Sequence, residues 1–290
     1  MTILEVQQAS RPVFENLPPW VVTLFYTTSA VAIFVFVLGF ALRIRKYFTG
    51  RGPVGVDHPV RRFRYAAAVV ASNRTVGRQD LTTRLAHLSI MWGFIALFIG
   101  TVIVTIDYDF ARNLNPNLRF WKGDFYLAFK LILDTFGALF LLGLGTMMAR
   151  RWLITPWRLR YDRVDRAAGS YDRKPYERGD VLFVSLLFGI GFTGFLLEGF
   201  RLAADRPDSA VYSPLGSTIA RGLDALTSSH AVWIGWHTGM WFFHAALALG
   251  FIAYMPYSKA MHIFADPMNL FLRDPLAGRR LSRPSAMGTP

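Results

Sequence analysis

Five separate runs of apolar residues dominate this chain, and each is close to the roughly 20 residues that an α-helix needs to cross a bilayer. They lie at about 20–42, 85–106, 124–149, 180–200 and 232–257. The chain is also 53% hydrophobic and 15% aromatic, which is unusual for a soluble domain. We therefore predict an all-α fold, a polytopic membrane bundle of five transmembrane helices.

The positive charges lie mainly in the loops on one side of these runs. Residues 43–84 contain ten Lys or Arg, residues 150–179 contain nine, and the part after 257 contains five, against seven on the opposite side. The positive-inside rule then predicts an outside N-terminus and a cytoplasmic C-terminus in a bacterial inner membrane. This distribution explains the net charge of +13, so no nucleic-acid partner is expected.

Three regions follow from this topology. Residues 1–19 form a polar periplasmic arm without the features of a signal peptide, residues 20–264 form the five-helix membrane domain, and residues 265–290 form a cytoplasmic tail. Residues 61–88, "RRFRYAAAVVASNRTVGRQDLTTRLAHL", are expected to include a short amphipathic helix at the membrane surface.

The chain contains no cysteine, so it cannot itself hold an iron–sulfur cluster through thiolates. Its histidines are the main remaining metal ligands. His87 begins the second run and His262 follows the fifth, which places both near the cytoplasmic face on different helices. Haem iron takes two axial ligands from opposite sides, so we predict one haem b between His87 and His262. His58 and His230 are expected to be ordinary loop residues.

Two further histidines lie in the outer half of the fifth run. His244 precedes His262 by eighteen residues, which is five turns of a continuous helix and would place both on one face. His237 lies seven residues before His244 and shares that face. The two histidines are too far apart along the helix axis for both to bind one iron. His237 is open to three interpretations: an interfacial polar residue, a quinone contact or an alternative ligand.

Ionisable side chains also occur within the outer half of the bundle, where they are costly and often functional. Lys130 and Asp134 lie four apart on the third run, and Glu198 and Arg201 lie near the outer end of the fourth. They could be ion pairs that hold the helices together. They could also form a quinone pocket, in which Lys130 or a histidine donates hydrogen bonds and Asp134 or Glu198 carries protons.

The last run carries a motif with a clear resemblance. In "HAALALGFIAYMPYSKAMHI", His244, Pro256 and His262 have the spacing found in the last helix of the respiratory nitrate reductase gamma subunit and, more closely, in cytochrome b-like membrane domains of the heterodisulfide reductase type. The stretches "LDTFGALFLLG" and "GFLLEGFRLA" also resemble the third and fourth helices of that group.

The resemblance implies roles for individual residues. It makes His262 and His87 the ligands of the haem nearer the cytoplasm, and His244 a ligand of a second, outer haem. One departure concerns Leu97, which stands where the gamma subunit supplies a further histidine. Either the outer haem takes another ligand, such as His230, or it is absent and His244 serves the quinone.

These observations predict a haem b subunit of a quinone-linked oxidoreductase. It would pass electrons between menaquinone or ubiquinone and a cytoplasmic iron–sulfur subunit of the heterodisulfide reductase type, some of whose relatives serve a flavoprotein. That partner should dock on the basic inner face. The alternatives are a haem-free membrane anchor and a proton-coupled transporter; for the latter, neither an inverted repeat nor a broken helix is evident.

Overall fold

The computed structural model describes residues 6, 9–15, 17–49, 56–74, 76, 80–154, 174–227 and 229–273, and contains helices but no strand within these ranges. We call the end of the bundle at residues 46–80 the inner end and the opposite end the outer end, after the topology that the charges predict.

Five helices are long and apolar enough to cross a membrane, as predicted. Two shorter helices accompany them at the inner end and one at the outer end. In chain order they are α1 (Pro19–Arg45), α2 (Pro59–Ser72), α3 (Leu81–Thr105), α4 (Gly123–Ala149), α5 (Lys174–Asp205), α6 (Pro214–Asp224), α7 (His230–Tyr254) and α8 (His262–Leu272). The spanning helices α1, α3, α4, α5 and α7 match the predicted runs, with ends that extend several residues further.

Local chemistry explains where the key helices begin and end. Asp80 starts α3 by accepting hydrogen bonds from the Thr83 backbone N–H (3.2 Å) and hydroxyl (2.9 Å). At its outer end α3 continues as a π-helix, Ile106–Ala111, and reaches Leu114. The chain leaves α7 through a 3₁₀ turn, Met255–Tyr257, at whose centre Pro256 has no N–H to continue the helix.

The predicted amphipathic helix is confirmed as α2, which lies beside α8 at the inner end. Arg62 connects the two by donating a hydrogen bond of 3.3 Å to the Phe271 carbonyl. The indole N–H of Trp92 on α3 donates to the Ala71 carbonyl at the end of α2 (3.2 Å). The inner end is therefore covered by two short helices that also contact the bundle.

The spanning helices pack in the order α3, α4, α5, α7 and α1. Within the described ranges, α3 does not pack along α1 or α7; long side chains bridge the space instead, as between Phe94 of α3 and Phe251 of α7, whose ring centroids are 6.3 Å apart. Here α3 meets the α7–α1 pair through apolar side chains, among them Phe36, Phe94 and Phe251, which belong to one cluster.

Helices α3 and α4 approach each other through glycines. A Cβ placed on Gly143 would lie 2.6 Å from the Ala86 carbonyl oxygen, and one on Gly93 would lie 2.6 Å from the Phe140 Cβ. Small residues at an interface let the backbones of membrane helices come close. This contact sets the position of α3, and with it that of His87.

The expectation that His244 and His262 share one face of a continuous helix is wrong. Helix α7 ends at Tyr254, two short turns follow, and His262 begins the separate helix α8. Helix α8 also crosses the boundary predicted at 264. The physical reason is Pro256, which ends the helix and redirects the chain. His237 and His244 both lie on α7.

Candidate functional site

Two imidazoles from different helices lie beside each other at the inner end of the bundle. The rings of His87 on α3 and His262 on α8 have centroids 6.4 Å apart and planes inclined by 57°. A metal bound on a line between two imidazoles has metal–nitrogen bonds of about 2 Å, which separates the ring centroids by about 6 Å. The observed separation therefore has room for one metal ion.

Both rings are oriented by a hydrogen bond at Nδ1. The Lys259 carbonyl lies 2.5 Å from Nδ1 of His262; because a carbonyl only accepts, this nitrogen donates and Nε2 keeps its lone pair. Nδ2 of the Asn73 amide, at the end of α2, lies 2.5 Å from Nδ1 of His87; because Nδ2 only donates, this ring nitrogen accepts. His262 therefore has the arrangement that metal-binding histidines usually show, with Nε2 left for a ligand. His87 reaches that arrangement when the Asn73 side chain turns so that its amide oxygen accepts from Nδ1.

Ion pairs at the inner end hold the turn that carries His262. Lys259 pairs with Asp180 on α5, and Asp180 also accepts a hydrogen bond of 2.8 Å from Arg151 at the end of α4. Arg150 pairs with Asp80 at the start of α3. The inner ends of α3, α4 and α5 and the turn before α8 are thus tied together around the imidazole pair.

The donor set at this site fits haem better than an isolated metal ion. Among the described residues, no group of three His, Asp or Glu could hold a metal ion. Haem iron needs only two protein ligands, because the porphyrin supplies the others. His87 and His262 could supply these two, and a macrocycle between them would lie beside the apolar side chains Phe94 and Phe251 of α3 and α7 once these give way.

A second polar site lies at the outer end, which we call the outer cluster: Arg11, Glu15, Lys130, Glu198, Arg201 and His237. At its centre Glu198 accepts two hydrogen bonds from Arg201, of 2.8 and 3.1 Å. Lys130 Nζ lies 3.5 Å from Glu198 and donates to the Ser209 carbonyl (3.0 Å). The structure therefore brings together three of the ionisable residues that the sequence singled out.

Asp134 lies apart from these contacts. Its two oxygens accept hydrogen bonds from the backbone N–H groups of Leu215 (2.9 Å) and Gly216 (3.1 Å), in the first turn of α6. A carboxylate at this position satisfies unpaired donors and interacts favourably with the helix dipole. Asp134, which belongs to α4, therefore caps the N-terminal end of α6.

The N-terminal arm enters the outer cluster. Arg11 Nη1 lies 3.6 Å from Glu198 Oε2, and Glu15 Oε2 lies 4.0 Å from Arg201 Nη1. Burial and the nearby Arg201 lower the pKa of Arg11, while burial and the nearby Asp205 raise the pKa of Glu15. The cluster contains the cations Arg11, Lys130 and Arg201 and the anions Glu15 and Glu198, so cations exceed anions by one.

His237 is the most deeply buried member of the cluster. It is 1% exposed, and neither ring nitrogen has a hydrogen-bond partner within the described part of the chain. Arg11, Arg201 and Glu198 lie close enough to act on it electrostatically. A buried polar ring without partners is costly, so it indicates a position that a ligand satisfies.

His244 lies nearly two turns along α7 from His237, on the same face, and contacts α5. Its Nδ1 is 2.9 Å from the Thr193 hydroxyl, whose single proton is used on the Gly189 carbonyl (2.7 Å). Nδ1 of His244 is therefore the donor, and Nε2 keeps its lone pair. His230 hydrogen-bonds the Ala204 carbonyl (2.8 Å), so it does not pair with His244.

Several contributors were missed by sequence reasoning. Asn73 and Lys259 orient the two inner imidazoles, and Arg11 and Glu15 join the outer cluster. A signal existed only for the arm, where two charged residues stand among the apolar residues of "RPVFENLPPW". The other two contacts span only 14 residues (Asn73 to His87) and three residues (Lys259 to His262), and no helical or charge pattern marks them.

The comparisons with known proteins concern almost the whole chain. It is 28% identical over 277 residues, 91% of the chain, to the EtfAB:quinone oxidoreductase of Syntrophomonas wolfei. It is 25% identical over 193 residues, 67% of the chain, to the probable iron-sulfur-binding oxidoreductase FadF of Bacillus subtilis. No family model matches the chain.

The chain spans only part of these relatives, 35% of the first and 24% of the second. Each relative therefore contains a large portion without a counterpart here. In sequence, the chain is similar to a segment of oxidoreductases, one named for its quinone and the other for its iron–sulfur group.

Proposed function

We propose that this chain is the membrane subunit of a quinone-linked oxidoreductase, and that it passes electrons between a quinone at the outer cluster and a partner at the inner end. We further propose one haem b per chain, held by His87 and His262. The observation that carries the proposal is the pair of facing imidazoles, 6.4 Å apart, with both Nδ1 atoms already engaged.

The inner residues would hold the haem in a defined orientation. His87 and His262 would hold the iron, with the Lys259 carbonyl and the Asn73 amide fixing the two rings through Nδ1. A bound haem would supply one-electron transfer. The apolar side chains Phe94 and Phe251 would keep water away from it.

The outer residues would bind the quinone ring. His237 has both nitrogens free for a quinone oxygen, and Lys130 is a second hydrogen-bond donor beside Glu198. The cations Lys130 and Arg201 of the cluster would stabilise a ring that carries negative charge during a one-electron step. We assign His244 to this site as well, since the described ranges offer it no facing imidazole.

An iron–sulfur protein is the partner we propose for the inner face. This chain has no cysteine, and the relatives named for a quinone and for iron–sulfur binding are about three to four times longer than the part it matches. The basic helix α2 and its neighbour α8 form the surface available for docking. The name of the Syntrophomonas relative suggests a flavoprotein further along the electron path.

The quinone half of the proposal is tested by titrating the protein in nanodiscs with a short-tailed naphthoquinone while tryptophan fluorescence is followed. We expect quenching in the parent, because Trp233 and Trp241 lie on the same helix as His237. The variant His237→Phe should bind at least about tenfold more weakly, as expected when a buried hydrogen-bonding group is lost. His58→Ala, at the inner end, is the control and should bind normally.

The link between the two sites is tested by adding short-tailed naphthoquinol without oxygen and recording the visible spectrum. The proposal expects reduction of a b-type haem in the parent. A protein that shows no b-type spectrum and does not bind naphthoquinone would instead be a haem-free anchor. A protein that moves protons without either cofactor would be a transporter.

A further inference from the structure

We propose that Glu15 in the N-terminal arm carries protons between the quinone in the outer cluster and the water at the outer end, and that Arg11 closes the site around the ring. This inference rests on the proposed quinone site and adds residues outside the spanning helices to it.

The arm is held in place by contacts on both sides of Arg11 and immediately before Glu15. The Ala9 carbonyl accepts a hydrogen bond of 2.7 Å from the Gly123 backbone N–H, at the start of α4. Val13 packs against the buried group around Trp121. The Phe14 ring lies 6.0 Å from that of Trp241 on α7. These contacts fix the part of the arm that brings Arg11 and Glu15 to Glu198 and Arg201.

Glu15 has one side toward water and the other toward the cluster. Its side chain is 24% exposed, whereas its Oε2 atom is buried, forms no hydrogen bond and lies 4.0 Å from Arg201 Nη1. The charged groups that act on it are Arg11 from the arm and Glu198, Arg201 and Asp205 from α5. A carboxyl group in this position can exchange a proton with either side.

Three buried side-chain nitrogens of the outer cluster have no hydrogen-bond partner within the described residues: Nδ1 and Nε2 of His237 and Nε of Arg11. These groups come from α7 and from the arm, and both interact electrostatically with Glu198. Unpaired buried donors and acceptors from different segments indicate one shared ligand.

The protonation chemistry of Glu15 suits this role. Burial and the neighbouring Asp205 raise the pKa of its carboxyl group from the ordinary value, which brings it closer to neutral pH. A group that transfers protons works best when its pKa is near the working pH. Glu198 is already engaged by Arg201 and Lys130, so it is less free to change its charge.

The proposed step balances as follows. Oxidation of a quinol breaks two O–H bonds and yields a quinone, two electrons and two protons. Each proton moves from a ring oxygen to the Glu15 carboxylate and then to water at the outer end, while the electrons leave toward the inner end. Quinone reduction is the same sequence in reverse.

The test uses the protein in nanodiscs, short-tailed naphthoquinol as the donor and ferricyanide as the one-electron acceptor, with empty nanodiscs as the blank. Two ferricyanide ions are reduced for each quinol oxidised. The variants are Glu15→Gln, Glu15→Asp and Arg11→Gln. Asp208→Asn and Arg221→Gln, exposed residues at the same end, are the matched controls.

We expect Glu15→Gln to bind naphthoquinone normally but to turn over at least about tenfold more slowly, as for loss of a proton-transfer group. Its rate should also lose the pH dependence of the parent, and Glu15→Asp should recover part of the rate. Arg11→Gln should mainly weaken binding. The controls should match the parent in both measurements.

Two results would count against different claims. A Glu15→Gln variant with the rate and pH profile of a functional parent would overturn the role of Glu15 and leave the quinone site intact. A parent that neither binds naphthoquinone nor oxidises naphthoquinol would overturn the proposed function itself, and the role of Glu15 with it.

Discussion

The glycine contact between α3 and α4 makes a quantitative prediction. In Gly143→Ala, the new Cβ would lie 2.6 Å from the Ala86 carbonyl oxygen and 3.1 Å from the Ile90 backbone nitrogen. Ordinary contacts between such atoms are about 3.5 Å, so the helices must separate by about 1 Å. The nearest of these atoms is a backbone oxygen, which cannot rotate aside, and the Ile90 Cγ1 atom also lies within 2.9 Å.

The expected cost follows from this displacement. Overpacking of this kind costs about 1–3 kcal/mol. Gly145→Ala is a matched control on the same helix, because its Cβ meets nothing within 4 Å. Both variants gain similar helix propensity, so their difference isolates the contact.

Thermal unfolding in detergent measures the effect. We expect Gly143→Ala to unfold roughly 2–10 °C below Gly145→Ala, by the usual relation between stability and melting temperature. Ala86 precedes His87, so Gly143→Ala should also disturb haem binding at the imidazole pair. Equal melting temperatures for the two variants would refute the close helix approach.

Three further predictions concern single polar groups. Asp134→Asn should lower stability by about 1 kcal/mol, as for loss of a helix cap, yet leave naphthoquinone binding unchanged, which a fluorescence titration checks. Lys259→Met should loosen the turn before His262 and weaken haem retention roughly tenfold, measured by dialysis against apomyoglobin; unchanged retention would contradict the role given to its pair with Asp180. Because burial raises the pKa of Glu15, the parent loses stability as pH rises through the ordinary carboxylate pKa to the raised one. Glu15→Gln lacks the titrating group, so its melting temperature minus that of the parent should increase from about pH 4 to about pH 7. A difference in melting temperature that does not change with pH would contradict the burial of the carboxyl group.

The spanning helices were predictable because bilayer thickness and backbone hydrogen bonding leave a membrane chain few choices. The amphipathic α2 was predictable for a similar reason, since its basic and apolar residues alternate with a helical period. The imidazole pair could be anticipated from depth alone, because His87 and His262 lie at the same end of different helices.

The errors and omissions arise where tertiary contacts decide. Pro256 was visible in the sequence, and its effect on α7 should have excluded a continuous helix through His262. The arrangement of Asn73 beside His87 depends on how α2 returns to α3, which no local pattern encodes. The burial of Arg11 and Glu15 likewise depends on the arm packing against α4 and α7.

The central claim is that His87 and His262 hold one haem iron between them, and the most direct measurement is the ratio of haem to protein chain in purified material. A pyridine haemochrome assay should find about one haem b per chain in the parent, and none in His87→Ala or His262→Ala. The same assay on His58→Ala, a loop histidine at the inner end, should match the parent. Folded parent protein without haem, or either axial variant with its full complement, would contradict the account.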